Sequence, residues 1–229
     1  MPHQGPGVTD TTHHLPVFAL PEFTLFKGTL VPFHIFEPRY CEMIERCLAD
    51  RRLLVVTGLQ PGWEAHAVED DAPFFEVGGL GRVVSDRRFP DGRWNIFVHC
   101  IERVHVVDIR LVSDRASLRT VVDVQAMPDR VDLDSERLAN AAHRMEKLGR
   151  SLALEMGQEG AALSKVLGST DDPGVLSNRL ASLVVRQPEE RQTLLEQLSP
   201  VARCEHLAEV LTTELMTLEE PMTAGQWVN

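Results

Sequence analysis

The chain has 229 residues, 43% hydrophobic and 25% charged, the balance of a globular protein able to bury a core and not of a disordered or fibrous one. A net charge of −11 with pI near 5.3 repels a phosphate backbone unless basic residues gather on one face, so nucleic acid is not expected as a partner. No run of about eighteen apolar residues occurs, which predicts no membrane span, and with no secretory signal at the start of the sequence a cytoplasmic protein is expected.

Residues 1–14 lack the basic start and apolar centre of a secretory signal, and their Gly, Pro and Thr content reads as a flexible tail. Leu15–Leu20 and Leu30–Phe36 are short apolar and β-branched runs punctuated by Pro21, Gly28 and Pro32, as expected of strands. Glu37-Pro38 then opens a helix, with Pro at its first position. Tyr40, Met43, Ile44, Cys47 and Leu48 fall on one face of it. Leu53–Thr57 reads as a strand. Phe74–Val84 reads as a bent or bulged one, because Gly78, Gly79 and Gly81 interrupt it. Pro90-Asp91-Gly92 is a turn signal. Beyond it, Trp94, Ile96, Val98 and Cys100 alternate with Asn95, Phe97 and His99. Two further strands, Val104–Val112 and Leu118–Val124, complete a barrel.

Near residue 127 the text changes to Leu- and Ala-rich helical periodicity, and Met127-Pro128-Asp129 makes a connector. The expected organisation is therefore a tail (1–14), a β-barrel subdomain (15–126), a helical bundle (127–220) and a C-terminal tail (221–229). Asp132 or Asp134 can cap a long helix carrying Leu138, Ala142, Met145, Leu148 and Leu152. Ala161–Leu167 is a short apolar segment. Asp172-Pro173 starts a helix burying Leu176, Leu180, Leu183 and Val184, and Pro188 starts another. Ser199-Pro200 opens the last helix. Its stripe of Val201, Cys204, Ala208, Leu211, Leu215 and Leu218 faces the bundle or a second copy of the chain, so a homo-oligomer through this helix is one reading.

Three stretches carry a family resemblance. Leu25-Phe26-Lys27-Gly28-Thr29-Leu30-Val31-Pro32-Phe33-His34-Ile35-Phe36-Glu37-Pro38-Arg39-Tyr40 resembles the opening LFPG…PLHIFEPRY signature of the LON N-terminal domain, with Lys27 where proline is usual. Phe75 to Val83, then Asp91-Gly92 and Ile101-Glu102-Arg103-Val104, is similar to the VGTxARI…DG…GxxRxRI pattern, with Cys100 or Ile101 at its second glycine position. Asp171-Asp172-Pro173-Gly174-Val175-Leu176 and Gln192–Glu196 through Leu207 look like the DDPxxLAD…KQxLLExxDxxxRL stretch.

The resemblance spans about residues 15–220. It implies an α+β fold, a PUA-like mixed β-barrel with one packed helix followed by an α-helical bundle. It also implies a stand-alone, non-catalytic protein- or peptide-binding module, an adaptor or regulator in protein quality control. Its partners would be unfolded or hydrophobic protein segments and a separate protease. The signature residues Pro32, His34, Phe36, Glu37, Pro38, Arg39, Tyr40, Gly78 and Gly81 are expected to be structural, with Glu37 and Arg39 paired before the helix.

Full-length Lon adds an ATPase and a Ser-Lys protease. Here there is no G-x-x-x-x-G-K-[S/T], and Gly78-Gly79-Leu80-Gly81 lacks the lysine and hydroxyl a phosphate loop needs. Ser164-Lys165 are adjacent and diverge on a helix, so no enzyme is expected. Cys41, Cys47, Cys100 and Cys204 contain no C-x-x-C pair, and His34, His66, His99 and His105 lack compact ligand spacing. No metal or other cofactor is expected, and His3, His13 and His14 fall in the tail. Asp70-Asp71 and Glu189-Glu190 read as solvated charges.

Among the aromatic residues Phe33, Phe36, Trp63, Phe74, Phe89 and Trp94, Phe33 and Trp63 are retained as peptide contacts. Arg39 and Arg82 are retained as partners for peptide carbonyls or acidic groups. Binding is expected by groove insertion or strand addition. The alternatives are an RNA-binding PUA-like protein, or a hydrolase in which His99, His105 and Cys100 or a carboxylate converge.

Overall fold

The computed structural model describes residues 11–66, 72–114, 117–131 and 133–219. Asp70, Asp71, Asp132 and His3 lie outside them, as do residues 220–229. The chain divides into two compact units, one of residues up to Pro128 with Gln187–Leu198, the other of Asp129–Arg186 with the residues from Ser199 onward.

The first unit is built on strands β1 (Thr12–Leu20), β2 (Leu30–Ile35), β3 (Leu53–Gly58), β4 (Val77–Arg88), β5 (Trp94–Asp114) and β6 (Ser117–Ala126). Their order is β2-β5-β4-β3-β1-β6, and an additional β5–β6 pairing closes five of them into a ring with β2 attached to β5. Among the described residues only β1 and β3 pair in parallel. His13 and His14 belong to β1, which begins at Thr12.

The alternation read from Trp94 to Cys100 holds: Trp94, Ile96, Val98 and Cys100 are buried, while Asn95 and Phe97 are exposed. This stretch and Val104–Val112 are not two strands, however, but parts of the single 21-residue β5. Glu102 and Arg103 break the apolar pattern without breaking the ladder. Glu102 pairs opposite Leu80, Arg103 opposite Gly79, and Arg103 is 1% exposed with its side chain donating to the Met127 carbonyl at 3.3 Å. The glycine-broken strand is bulged, with register shifts at Leu80/Gly81 and Val83/Ser85. A side chain at Gly79 would place Cβ 2.5 Å from the Leu25 carbonyl oxygen, so the glycine permits close approach of two backbone segments.

β3 is buried on both faces. Leu54 and Val56 join a cluster with Phe18, Ile35, Ile96 and Val98, while Val55 joins another with Leu15, Val104, Val106 and Val122. Helix α1 (Pro38–Ala49) buries Ile44 and Cys47 against the first cluster. It starts at Pro38 as the sequence signals, and the Arg39 guanidinium lies 3.0 Å from the Glu37 carboxylate. Lys27, at the position where the signature usually carries proline, reaches the Glu102 carboxylate at 2.7 Å.

The second unit holds α2 (Ser135–Glu155), α3 (Ala161–Leu167), α4 (Pro173–Val184) and α6 (Pro200–Glu219), with α6 packed on α2 and α4. The remaining helix, α5 (Pro188–Glu196), belongs to the first unit, where the Gln192 amide donates to the Val77 carbonyl at 3.1 Å. Asp134 caps α2 through the Arg137 amide, and Asp172 caps α4 through those of Gly174 and Val175. Leu183 is not buried as its helical spacing suggested. The inner stripe of α4 is Leu176, Leu180, Ala181 and Val184, which leaves Leu183 46% exposed. Arg203 is fully buried, bidentate to Asp129 at 2.7 and 2.6 Å. Among the described residues no helix is long and apolar enough to cross a membrane.

Candidate functional site

A groove of about 660 Å³ opens on the β-rich unit. Such a volume falls in the range of about 300–1,000 Å³ found for ligand sites. One wall is α1. The spacing that buries Ile44 and Cys47 turns Arg39, Tyr40, Met43 and Arg46 along the groove. Pro16, Val17 and Ala19 of β1 contribute a second surface.

The third wall is a strapped loop. Pro61-Gly62, with Gly62 at φ 87°, turns the chain after β3 into a 3-10 turn, Trp63–His66. The Trp63 amide closes this turn on the Gln60 carbonyl at 3.2 Å. The Gln60 amide and side chain in turn donate to the carbonyls of Pro73 and Phe74 at 2.8 and 2.9 Å. Trp63, Pro73 and Phe74 are thereby held at the groove.

The fourth wall is the far part of the β5–β6 hairpin, through Ile109, Leu111, Val112 and Val121. Ile109 and Leu111 are 51% and 54% exposed on one face of β5, with Asp108 and Arg110 between and beside them on the other. Half-exposed branched side chains that border an apolar cavity are the part of this surface with most to gain from an apolar partner.

Of the residues singled out from sequence, the structure brings Arg39 and Trp63 to the groove but not Phe33 or Arg82. Phe33 lies on β2 with its ring 5.4 Å from those of Phe18 and Phe23, partly buried on the first core cluster. Arg82 is exposed on β4, paired in register with His99. Phe36 is exposed beside His34, Trp94 is buried, and Phe74, in the aromatic set but not retained, lines the groove. In the sequence Tyr40 and Met43 fall on the packed face of the first helix, and Ile109 and Leu111 fall within the Val104–Val112 strand. Their only signal was apolar periodicity, which is the same whether a face covers a core or a groove.

His99 and His105 do not converge. They sit six positions apart on β5, about 20 Å along a strand, opposite Arg82 and Val77 respectively. Burial pushes the Cys100 thiol up to about 12 and the Cys47 thiol up to about 11, so both stay protonated and are poor nucleophiles near neutrality. Among the described residues no group of three or more His, Cys, Asp or Glu is placed to hold a metal ion.

Comparison with known proteins places this arrangement in context. The sequence profile of the ATP-dependent protease La (LON) substrate-binding domain matches residues 14–213. The Lon protease of Anaeromyxobacter dehalogenans is 26% identical over 218 residues, covering 92% of this chain and 25% of that protein. The Lon protease of Solibacter usitatus is 25% identical over 219 residues, with 93% and 25% covered. The chain thus spans about a quarter of the length of these relatives, and the alignments do not reach their catalytic domains. Two solved structures share the fold. A Lon N-terminal domain protein from Xanthomonas campestris aligns with a TM-score of 0.59 at 21% identity, over 87% of this chain and 98% of that one. The N-terminal domain of a Mycobacterium avium complex Lon protease gives 0.66 at 16%, over 89% and 98%.

Proposed function

The chain belongs to the family of ATP-dependent protease La (LON) substrate-binding domains, and from that premise we propose that it captures apolar segments of unfolded proteins in the groove of its β-rich unit. It does so by binding alone, as an adaptor or regulator in protein quality control that serves a protease. The observation that carries this reading is the pair Ile109 and Leu111, half-exposed and facing a cavity shared with Trp63 and Phe74. Covering the exposed half of one such side chain contributes about 1 kcal/mol before the cost of ordering the client, so binding is weak and sequence-tolerant.

The test is binding of unfolded casein to the chain and to an Ile109→Ser/Leu111→Ser variant, with peptide cleavage and single-stranded RNA binding measured alongside. Casein binding that falls about tenfold in the variant, with neither cleavage nor RNA binding, is the expected result. Equal binding by both proteins overturns the groove as the site. Cleavage that survives rigorous purification overturns the non-catalytic reading.

A further inference from the structure

The groove lies where two strands part. β1 pairs with β6 as far as Pro16 opposite Val121, after which β6 continues along β5 with Thr120 opposite Leu111. From Val17 to Leu20, β1 pairs with β3 on its other edge. Two hydrogen bonds fix which way its main chain points. The Leu20 carbonyl accepts from the Leu59 amide at 2.9 Å, continuing the ladder on the β3 side. The Ala19 carbonyl instead accepts from the Tyr40 hydroxyl at 3.0 Å, on the side of the groove that Tyr40 lines. Main-chain polar groups alternate between the two edges of a strand, so Val17 and Ala19 both turn their amides and carbonyls toward the edge that meets β6 and then the groove. Pro16 has no amide, so its antiparallel pairing with Val121 is closed by the Val17 amide donating to the Thr120 carbonyl, and the groups that face the groove beyond it are the Val17 carbonyl and the Ala19 amide.

The ionisable side chains that line the groove are already matched. Arg39 meets Glu37 at 3.0 Å, Arg46 meets Glu42 at 3.9 Å, Asp50 meets Arg51 at 3.2 Å and Glu76 meets His105 at 3.4 Å. His14 accepts from Arg110 at 2.8 Å. A charge-balanced surface is complementary to an occupant that is itself uncharged where it is seated.

We infer that the groove takes its client as an added β-strand, an extended, uncharged, apolar segment hydrogen-bonded to the Val17 carbonyl and the Ala19 amide. At about 3.3 Å per residue, the Val17–Leu20 edge accommodates roughly four client residues. Alternate client side chains pack among Ile109, Leu111, Trp63 and Phe74. The Tyr40 hydroxyl caps the Ala19 carbonyl until a client arrives. This inference rests on the groove being the binding site.

The probe is the capped hexapeptide acetyl-Thr-Val-Thr-Phe-Thr-Val-amide and two N-methylated forms, one methylated at the threonines and the other at the remaining residues. Alternate amides face opposite edges, so one form loses the donors that meet β1 and the other keeps them. The expected result is that the parent binds, one form binds about tenfold more weakly, the other within about twofold, and the Ala19 amide gains hydrogen-exchange protection. Equal affinities for the two methylated forms, without Ala19 protection, overturn strand addition. If the Ile109→Ser/Leu111→Ser variant still loses casein, the groove reading stands without it. Absence of binding by both hexapeptide and casein overturns both.

Discussion

The two halves of β5 follow one alternation and put it to different ends. From Trp94 to Cys100 the inward row is fully enclosed and the outward row, Asn95, Phe97 and His99, flanks it with mixed polarity. Toward the far end of the strand the exposed row is itself apolar, with Ile109 and Leu111 half-open at the groove and the charges Asp108 and Arg110 turned to the other face. The first half spends its apolar residues on its own core; the second keeps two of them in reserve. Substitutions in the first half should therefore change stability and leave binding intact once the protein is folded, and those in the second should do the reverse.

The largest expected effect is Ile96→Ala, which empties a fully buried position and should cost about 3–4 kcal/mol in urea unfolding. Gly79→Ala follows at about 2–3 kcal/mol by the same measurement, because its new Cβ would lie 2.5 Å from the Leu25 carbonyl oxygen. Ile109→Ser with Leu111→Ser should cost at most about 1 kcal/mol of stability, since both side chains are already half in water. It should nonetheless weaken casein binding about tenfold. A larger loss of stability would erase the distinction between the two halves.

A fourth test concerns the clasp behind the groove. The hydrogen bond from His13, with the His14 amide and Arg110 beside it, holds the Asp123 carboxyl down at about 2. A carboxyl lowered from its ordinary value near 3.9 stabilises the fold above about pH 4, and that contribution is lost as pH falls through about 2. Asp123→Asn should therefore melt below the unsubstituted protein at pH 6, and the two melting curves should converge near pH 2. The smallest effect should come from Phe97→Ser, an exposed position remote from the groove lining, with stability and casein binding changed by no more than about 0.5 kcal/mol each.

Much of this fold was legible because its signals are local. Pro38 at the start of α1, the Asp134 and Asp172 caps and the alternation from Trp94 to Cys100 depend on neighbours within a few residues. The continuity of β5 was not legible, because Glu102 and Arg103 are held in strand by the register opposite Leu80 and Gly79, and no local pattern encodes that register. The candidate site was legible only in part. Trp63 could be named as an aromatic near a loop, and Arg39 as a partner for peptide carbonyls or acidic groups. Ile109 and Leu111 could not, because an apolar face on a strand looks the same in sequence whether a core or a groove lies over it. Phe33 shows the converse, an aromatic residue near a loop that finds its neighbours in Phe18 and Phe23.

The central claim, that the groove of the β-rich unit is where clients bind, is tested most directly by hydrogen exchange with and without unfolded casein at saturating concentration. Slowed exchange in Val17–Leu20 and Ile109–Val112, with none in Asn95–His99, is the pattern this account requires. Slowed exchange at Asn95–His99 or in α2 and α6, with the groove segments unchanged, would contradict it.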